Sequence, residues 1–355
     1  MALADEHDRT ADRAGGHDHA GHDATSPGDL PKQGWKAVGK RVVASVKQDH
    51  LTLLAAGVAF KGLLAIFPAI IAGISIWGLV ADPDTITGQI ESLTAGLPES
   101  AASLLTDQMQ NVANSDSSAL GTALAISVLI ALWSASGGMA GIIEGINAAY
   151  EEVDRRSFPL RRGLALLLTL GAIIGLLVTI GLIAVLPSML DSLGLGRAGE
   201  LAVRIGTWPL LAVLAMGALA LLYKVSPDRD DPETRWVTWG AVIATVLWLI
   251  GSGLFTLYVE NFGSFGETYG TFAGIIVLML WLFLSAFIVL LGAEINAESE
   301  RQTARDTTVG EPLPMGRRDA VSADTTPDDW DPDRGITSEP SRSGSATRRD
   351  PGGRA

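Results

Sequence analysis

The chain has no cysteine, which excludes a disulfide framework, a thiolate nucleophile and a Cys-ligated metal, and leaves the redox compartment unread. It also lacks an excess of positive charge: 26 basic residues face 39 acidic ones, for a net charge of −13. A nucleic-acid surface must present grouped Lys and Arg to phosphates, so no nucleic-acid partner is expected. No GxGxxG, Walker, GxSxG or HExxH pattern is present, so nucleotide-driven or hydrolytic chemistry has no recognisable machinery and no cofactor is expected. The first fifty residues lack an apolar core segment, so no cleavable signal peptide is expected either.

The most telling absence is of charge in the middle of the chain. Six apolar stretches run over 51–80, 117–143, 163–186, 205–223, 236–259 and 270–293, and five of them hold no charged residue. About 20 apolar residues in a helix cross a hydrocarbon layer of ~30 Å, and each stretch is about that long or longer. The fold class is therefore all-α, a polytopic six-helix transmembrane bundle over 51–298. Residues 1–33 and 299–355 carry few large apolar side chains and read as disordered tails. Between the first tail and the first span, Trp35, Val38, Val42 and Val46 recur at helical spacing with Lys36, Lys40 and Lys47 on other faces, giving a basic amphipathic helix over 34–50. Such a helix lies on anionic lipid or caps the bundle. In the loop after the first span, Pro98 and the face of Leu104, Leu105, Met109 and Val112 predict a small acidic helical cap.

Positive residues in short loops set sidedness. Lys36, Lys40, Arg41 and Lys47 precede the first span, Arg155, Arg156, Arg161 and Arg162 follow the second, and Lys224, Arg229 and Arg235 follow the fourth. The opposite loops hold almost none, so both termini are expected in the cytoplasm.

Lys61 stands ten residues into the first span, about 15 Å deep at 1.5 Å per residue. A charge there costs at least ~2.5 kcal/mol, so it either contacts an anionic group in a polar cavity or snorkels. Pro68 predicts a break in the same helix. In the second span, Gly137, Gly141 and Gly145 repeat every four residues and predict close helix packing. Ser134, Ser136, Glu144 and Asn147 on that span, with Glu294 and Asn296 at the end of the sixth, are candidates for binding a substrate near the cytoplasmic boundary. They read equally as ordinary interfacial polar groups. Trp236, Trp239 and Trp281 are read as belt or packing aromatics. The tail run HDHAGHD from His17 is similar to the metal-binding signature of zinc nucleases, but Gly21 replaces its aspartate and no metal site is expected.

The motifs AAGVAFKGLLAIFP from Ala55, LWSAS and NAAYEEVDRRSF within 132–158, LLYKVSP from Leu221, FTLYVENFGSFGETYG from Phe255 and LWLFLSAFIVLLGAEINAESE from Leu280 resemble the YihY/BrkB family of bacterial inner-membrane proteins, once labelled ribonuclease BN. Lys61 and Phe265 stand where that family usually carries tyrosines. The resemblance implies a non-enzymatic six-helix envelope protein in the bacterial inner membrane. Two functions fit it: movement of a lipid or other amphiphilic anion along a groove lined by Lys61 and residues 134–138, or a scaffold for envelope assembly with protein partners or a second copy. A membrane-bound ribonuclease is the third reading, carried by the label alone.

Overall fold

The computed structural model describes residues 21–80, 117–191, 196–261, 272–331 and 335–336. Among them, six long helices follow a shorter one: α1 (Lys32–Gln48), α2 (Leu51–Val80), α3 (Ser117–Ala149), α4 (Phe158–Asp191), α5 (Gly196–Val225), α6 (Thr234–Asn261) and α7 (Phe272–Glu300). The long helices have 28 to 34 residues, so each is ~42–51 Å long and exceeds a hydrocarbon layer of ~30 Å. Four of them contain apolar segments long enough to span, Val128–Ala149, Phe158–Thr179, Thr234–Glu260 and Ala273–Glu300, while Leu51–Ala65 and Pro209–Val225 are shorter apolar parts of α2 and α5. The protein is an all-α polytopic membrane protein. Contrary to the break expected at Pro68, α2 runs unbroken from Leu51 to Val80; a membrane helix tolerates proline because neighbouring groups satisfy the freed carbonyl. The predicted cap over 98–112 and the loop containing Phe265 lie outside the described residues.

The helices pack in a ring, α2 on α3, α3 on α4, α4 on α5, α5 on α6, α6 on α7 and α7 back on α2, with α7 also touching α1 and α3. The core gathers at one end of the ring, from Leu51, Ala55 and Val58 of α2, Ile146 and Ala149 of α3, Tyr223 of α5, Val237 and Ala241 of α6, and Leu290, Ala293 and Ala297 of α7. So many alanines and glycines let backbones approach closely where lipid supplies no hydrophobic drive. A Cβ on Gly138 would stand 3.8 Å from the Gly62 nitrogen of α2, one on Gly141 3.2 Å from Val58, and one on Gly145 2.6 Å from Leu290. Gly137 faces open space, so the packing stripe is Gly138, Gly141 and Gly145, one position from that predicted. The seam between α6 and α7 is closer still. A Cβ on Gly240 would meet the Gly292 carbonyl at 2.3 Å, and the Asn296 amide accepts from the Gly240 nitrogen at 2.7 Å and donates to the Val237 carbonyl at 3.1 Å.

Both terminal segments lie at this end and are folded, correcting the expectation of disorder for residues 21–33 and 299–331. The Thr303 hydroxyl donates to the carbonyls of His22 and Ala24, and the Ala304 nitrogen donates to His22. Glu233 and Val309 extend backbone bonds between the α5–α6 turn and the 307–309 strand-like stretch. Buried Arg318 donates to the carbonyls of Leu313, Arg305, Ala323 and Ala304. Order here comes from backbone pairing and one multiply bonded guanidinium, which a count of apolar residues does not detect. The Val38 and Val42 stripe of α1 is buried where α1 packs on α7, the bundle-cap arrangement of the two that its pattern allows.

The glycine seams yield a direct test. Gly240→Ala forces α6 from α7 and should lower stability by ~1–3 kcal/mol, whereas Gly137→Ala should be neutral or stabilising by up to ~1 kcal/mol. Thermal melting of detergent-purified protein distinguishes the two.

Candidate functional site

The end of α7 carries carboxylates that the fold buries completely. Glu298 accepts from the Arg41 Nε of α1 at 2.5 Å and from Arg301. Arg41 also donates to the Glu298 carbonyl at 3.0 Å and to Gln302 at 2.8 Å. Arg301 continues to Glu151 at 3.1 Å and to Thr325 at 3.1 Å. Glu300 takes Arg229 bidentately, at 2.6 and 2.8 Å, and accepts from the Thr307 hydroxyl. Each charge is compensated by geometry and hydrogen bonds, the condition under which buried ions are tolerated. Glu294, one turn earlier, is also buried, among Asp49, Glu298, Arg301 and Glu151, and its Oε2 has no hydrogen-bond partner.

This network fixes the connection 150–157, and with it one wall of a cleft of about 390 Å³ between α3 and α4. Glu151 is held by Arg301, and Arg156 donates to Asp228 at 3.1 Å and to the Pro227 carbonyl at 2.6 Å. The cleft is lined by Ala140, Ile143, Glu144, Asn147 and Ala148 of α3, by Glu152 and Asp154, and by Phe158, Arg161 and Arg162 of α4. Its volume is within the ~300–1,000 Å³ of small-molecule sites. Arg162 lies 3.9 Å over the Trp133 ring and donates to the Trp133 carbonyl at 2.5 Å, while its Nε is buried without a partner. Arg161 is half exposed and its side chain reaches, among the described residues, only Asp154, at 4.0 Å. Glu144 is exposed and has no ion-pair or hydrogen-bond partner among the described residues. Glu152 accepts from the Val321 nitrogen at 2.7 Å through one oxygen. Beyond the cleft, residues 170–178 of α4 are exposed on every face.

The structure brings Glu144 and Asn147 together and separates the other candidates. Asn147 is saturated, donating to the Ile143 and Ser226 carbonyls and accepting from the Asp228 nitrogen, so it acts as a strut. Ser136 is buried and bonded to the Trp133 carbonyl at 2.7 Å, and Ser134 is half-buried; neither lines the cleft. Glu294 lies inside the bundle. Lys61 is exposed on α2, with its Nζ 3.5 Å from where a Gly141 Cβ would be. That puts it level with the turn of α3 that lines the cleft together with Arg161 and Arg162. Residues 17 and 19 lie outside the description, and among the described residues no three His, Asp or Glu side chains gather as metal ligands. Arg161 and Arg162, read in sequence only as markers of sidedness, are the cations of the cleft.

Comparison with known proteins agrees with this architecture. A family model described as virulence factor BrkB matches residues 42–314. The chain is 34% identical over 251 residues to the putative ribonuclease-like protein YfkH of Bacillus subtilis (strain 168), covering 68% of this chain and 87% of that one. It is 28% identical over 257 residues to a UPF0761 membrane protein of Alteromonas mediterranea, covering 70% and 82% of the two chains. A UPF0761 membrane protein of Photobacterium profundum is 25% identical over 278 residues, covering 76% and 82%. No solved structure matches the chain.

Two measurements test the network. Arg41→Ala strands Glu298 with one partner fewer and should cost about 3–5 kcal/mol. Burial, then the neighbouring Glu151 carboxylate, pushes Asp49 up to about 7, and burial pushes Glu152 up to about 7. Both acids bind their protons more tightly folded than unfolded, so their stabilisation is complete below pH ~4 and is lost as pH rises through ~7. Asp49→Asn, which keeps a neutral side chain, should therefore flatten the fall in melting temperature across pH ~5–8.

Proposed function

The chain belongs to the virulence factor BrkB family of integral membrane proteins, and on that premise we propose that it holds an amphiphile by its charged head group in the α3–α4 cleft and moves it within or across the bacterial inner membrane. The observation that carries this reading is the junction of the cleft with α4. A pocket lined by Arg161 and Arg162 gives way, two turns on, to a helix exposed on every face. Head group and acyl chain need that succession of surfaces. An anion is favoured at the start of α4, because two arginines there add to the positive end of the helix dipole. Lys61, level with the cleft on the neighbouring helix, is a third cation for a passing head group.

Sidedness belongs to the same proposal. The described terminal segments share the end of the bundle that carries Arg155, Arg156, Arg161 and Arg162, which makes that end cytoplasmic. The activity is binding and movement without covalent chemistry; the word ribonuclease in the Bacillus relative's name is said of that protein. A scaffold role is favoured by one observation, the exposed Val309, Leu313 and Met315 on the terminal lobe, an apolar patch suited to a protein partner.

Reporter fusions at Glu311 and Gln108 should respond as cytoplasmic and external respectively; the reverse overturns the sidedness. In liposomes, wild-type protein should speed transfer of fluorescent phospholipid between leaflets, and the double variant Arg161→Ala/Arg162→Ala should be about tenfold slower or worse. Lys61→Met should cause a smaller loss. Wild-type transfer no faster than protein-free liposomes would favour the scaffold instead.

A further inference from the structure

The cleft is not simply cationic. Arg161 and Arg162 come from α4, whereas Glu144 from α3 and Glu152 and Asp154 from the connection supply carboxylates to the same cavity, Asp154 standing 4.0 Å from both Arg156 and Arg161. Glu144 has no partner among the described residues, and Arg161 has only a long contact with Asp154. The Arg162 Nε is an orphan donor. Charges of both signs that the fold leaves without a close partner, on two helices of one pocket, are available to a ligand that supplies their complements. A purely anionic head group satisfies the arginines and is repelled by Glu144. A head group with a phosphate at one end and an ammonium at the other satisfies both.

Resting on the reading above, we infer that the α3–α4 cleft recognises a phosphoethanolamine-type head group carried on a lipid, with Arg161 and Arg162 taking the phosphate and Glu144 taking the primary ammonium. A primary ammonium has three N–H donors and suits a carboxylate. A quaternary ammonium, with none, selects a cage of aromatic faces. The cleft has no such cage among the described residues: Trp133 is covered by the Arg162 guanidinium at 3.9 Å, which leaves Phe158. The lipid source follows from Phe158 and Leu160, both large and exposed beside the arginines, and from the exposed α4 surface beyond them.

The test uses full-length protein in detergent, titrated with dioctanoyl phosphatidylethanolamine, phosphatidylcholine and phosphatidylglycerol and read by native mass spectrometry. Wild type should bind the ethanolamine lipid about tenfold more tightly than the other two, and Glu144→Gln should erase that preference while keeping glycerol-lipid binding. Glu144 is exposed, and unchanged melting of the variant would show the bundle to be intact. Arg161→Ala/Arg162→Ala should weaken all three lipids together. Equal binding of the three by wild type, unchanged in Glu144→Gln, overturns this inference and leaves the amphiphile reading standing. No binding of any lipid overturns both. Free phosphoethanolamine binding as tightly as the lipid overturns the lipid source.

Discussion

Burial of Glu298 and Glu300 at the end of an otherwise apolar helix is the constraint on which the rest depends. Desolvating each carboxylate costs several kcal/mol, and these two are offset by paired guanidinium groups. Two of their partners come from far along the chain, Arg41 on α1 and Arg229 in the α5–α6 turn, and the third, Arg301, stands just past the end of α7. Satisfying two side chains therefore fixes where the amphipathic helix, the turn and the terminal lobe must sit. Arg301 passes the constraint on to Glu151, and so to the connection that carries Glu152 and Asp154 into the cleft.

Packing is uneven around the ring, and the unevenness suits the proposed function. On one side, α2 and α3 meet through Gly62, Gly138 and Gly141, and α6 and α7 meet through Gly240 and Gly292. At the α6–α7 seam the backbones are too close for a side chain between them, and the α2–α3 contact is closely packed, which leaves little freedom to shift. On the other side α4 has no covered face over 170–178. Few buried contacts mean a low local cost of displacement. A rigid half that positions charges, beside a loosely held helix, is the arrangement that head-group capture and acyl-chain passage require.

How much of this was legible in the sequence follows from which physical signal each feature uses. The spans were legible because lipid imposes a long apolar run whatever the partner. The folded terminal lobe was not, because its order rests on Arg318 bonded to four carbonyls and on backbone pairing with residues near His22, and none of these leaves a periodic pattern. In the glycine stripe Gly141 and Gly145 lie at close helix contacts as expected, whereas Gly138 takes the place expected of Gly137: the two are adjacent, and only the direction in which α2 approaches decides between them. Glu144 and Glu294 stand at similar sequence distances from their helix ends, yet one faces the cleft and the other the interior. Helix rotation separates them, and periodicity in a uniformly apolar span records rotation poorly.

The cleft arginines were read as markers of orientation because positive residues at a helix end have that role whether or not they bind anything. Their second role emerges only from what surrounds them. Glu152 and Glu144 both supply negative charge, but Glu152 is committed to the Val321 nitrogen at 2.7 Å and is pushed up to about 7 by burial, so near neutrality it is a partial charge with one oxygen engaged. Asn147 has its donors and its acceptor occupied by the chain itself. Glu144 has no such second duty. A residue that the fold does not use, placed on a rigid helix and facing two arginines that the fold only partly uses, is free to be selected for its ligand alone, and the proposed discrimination between head groups rests on it.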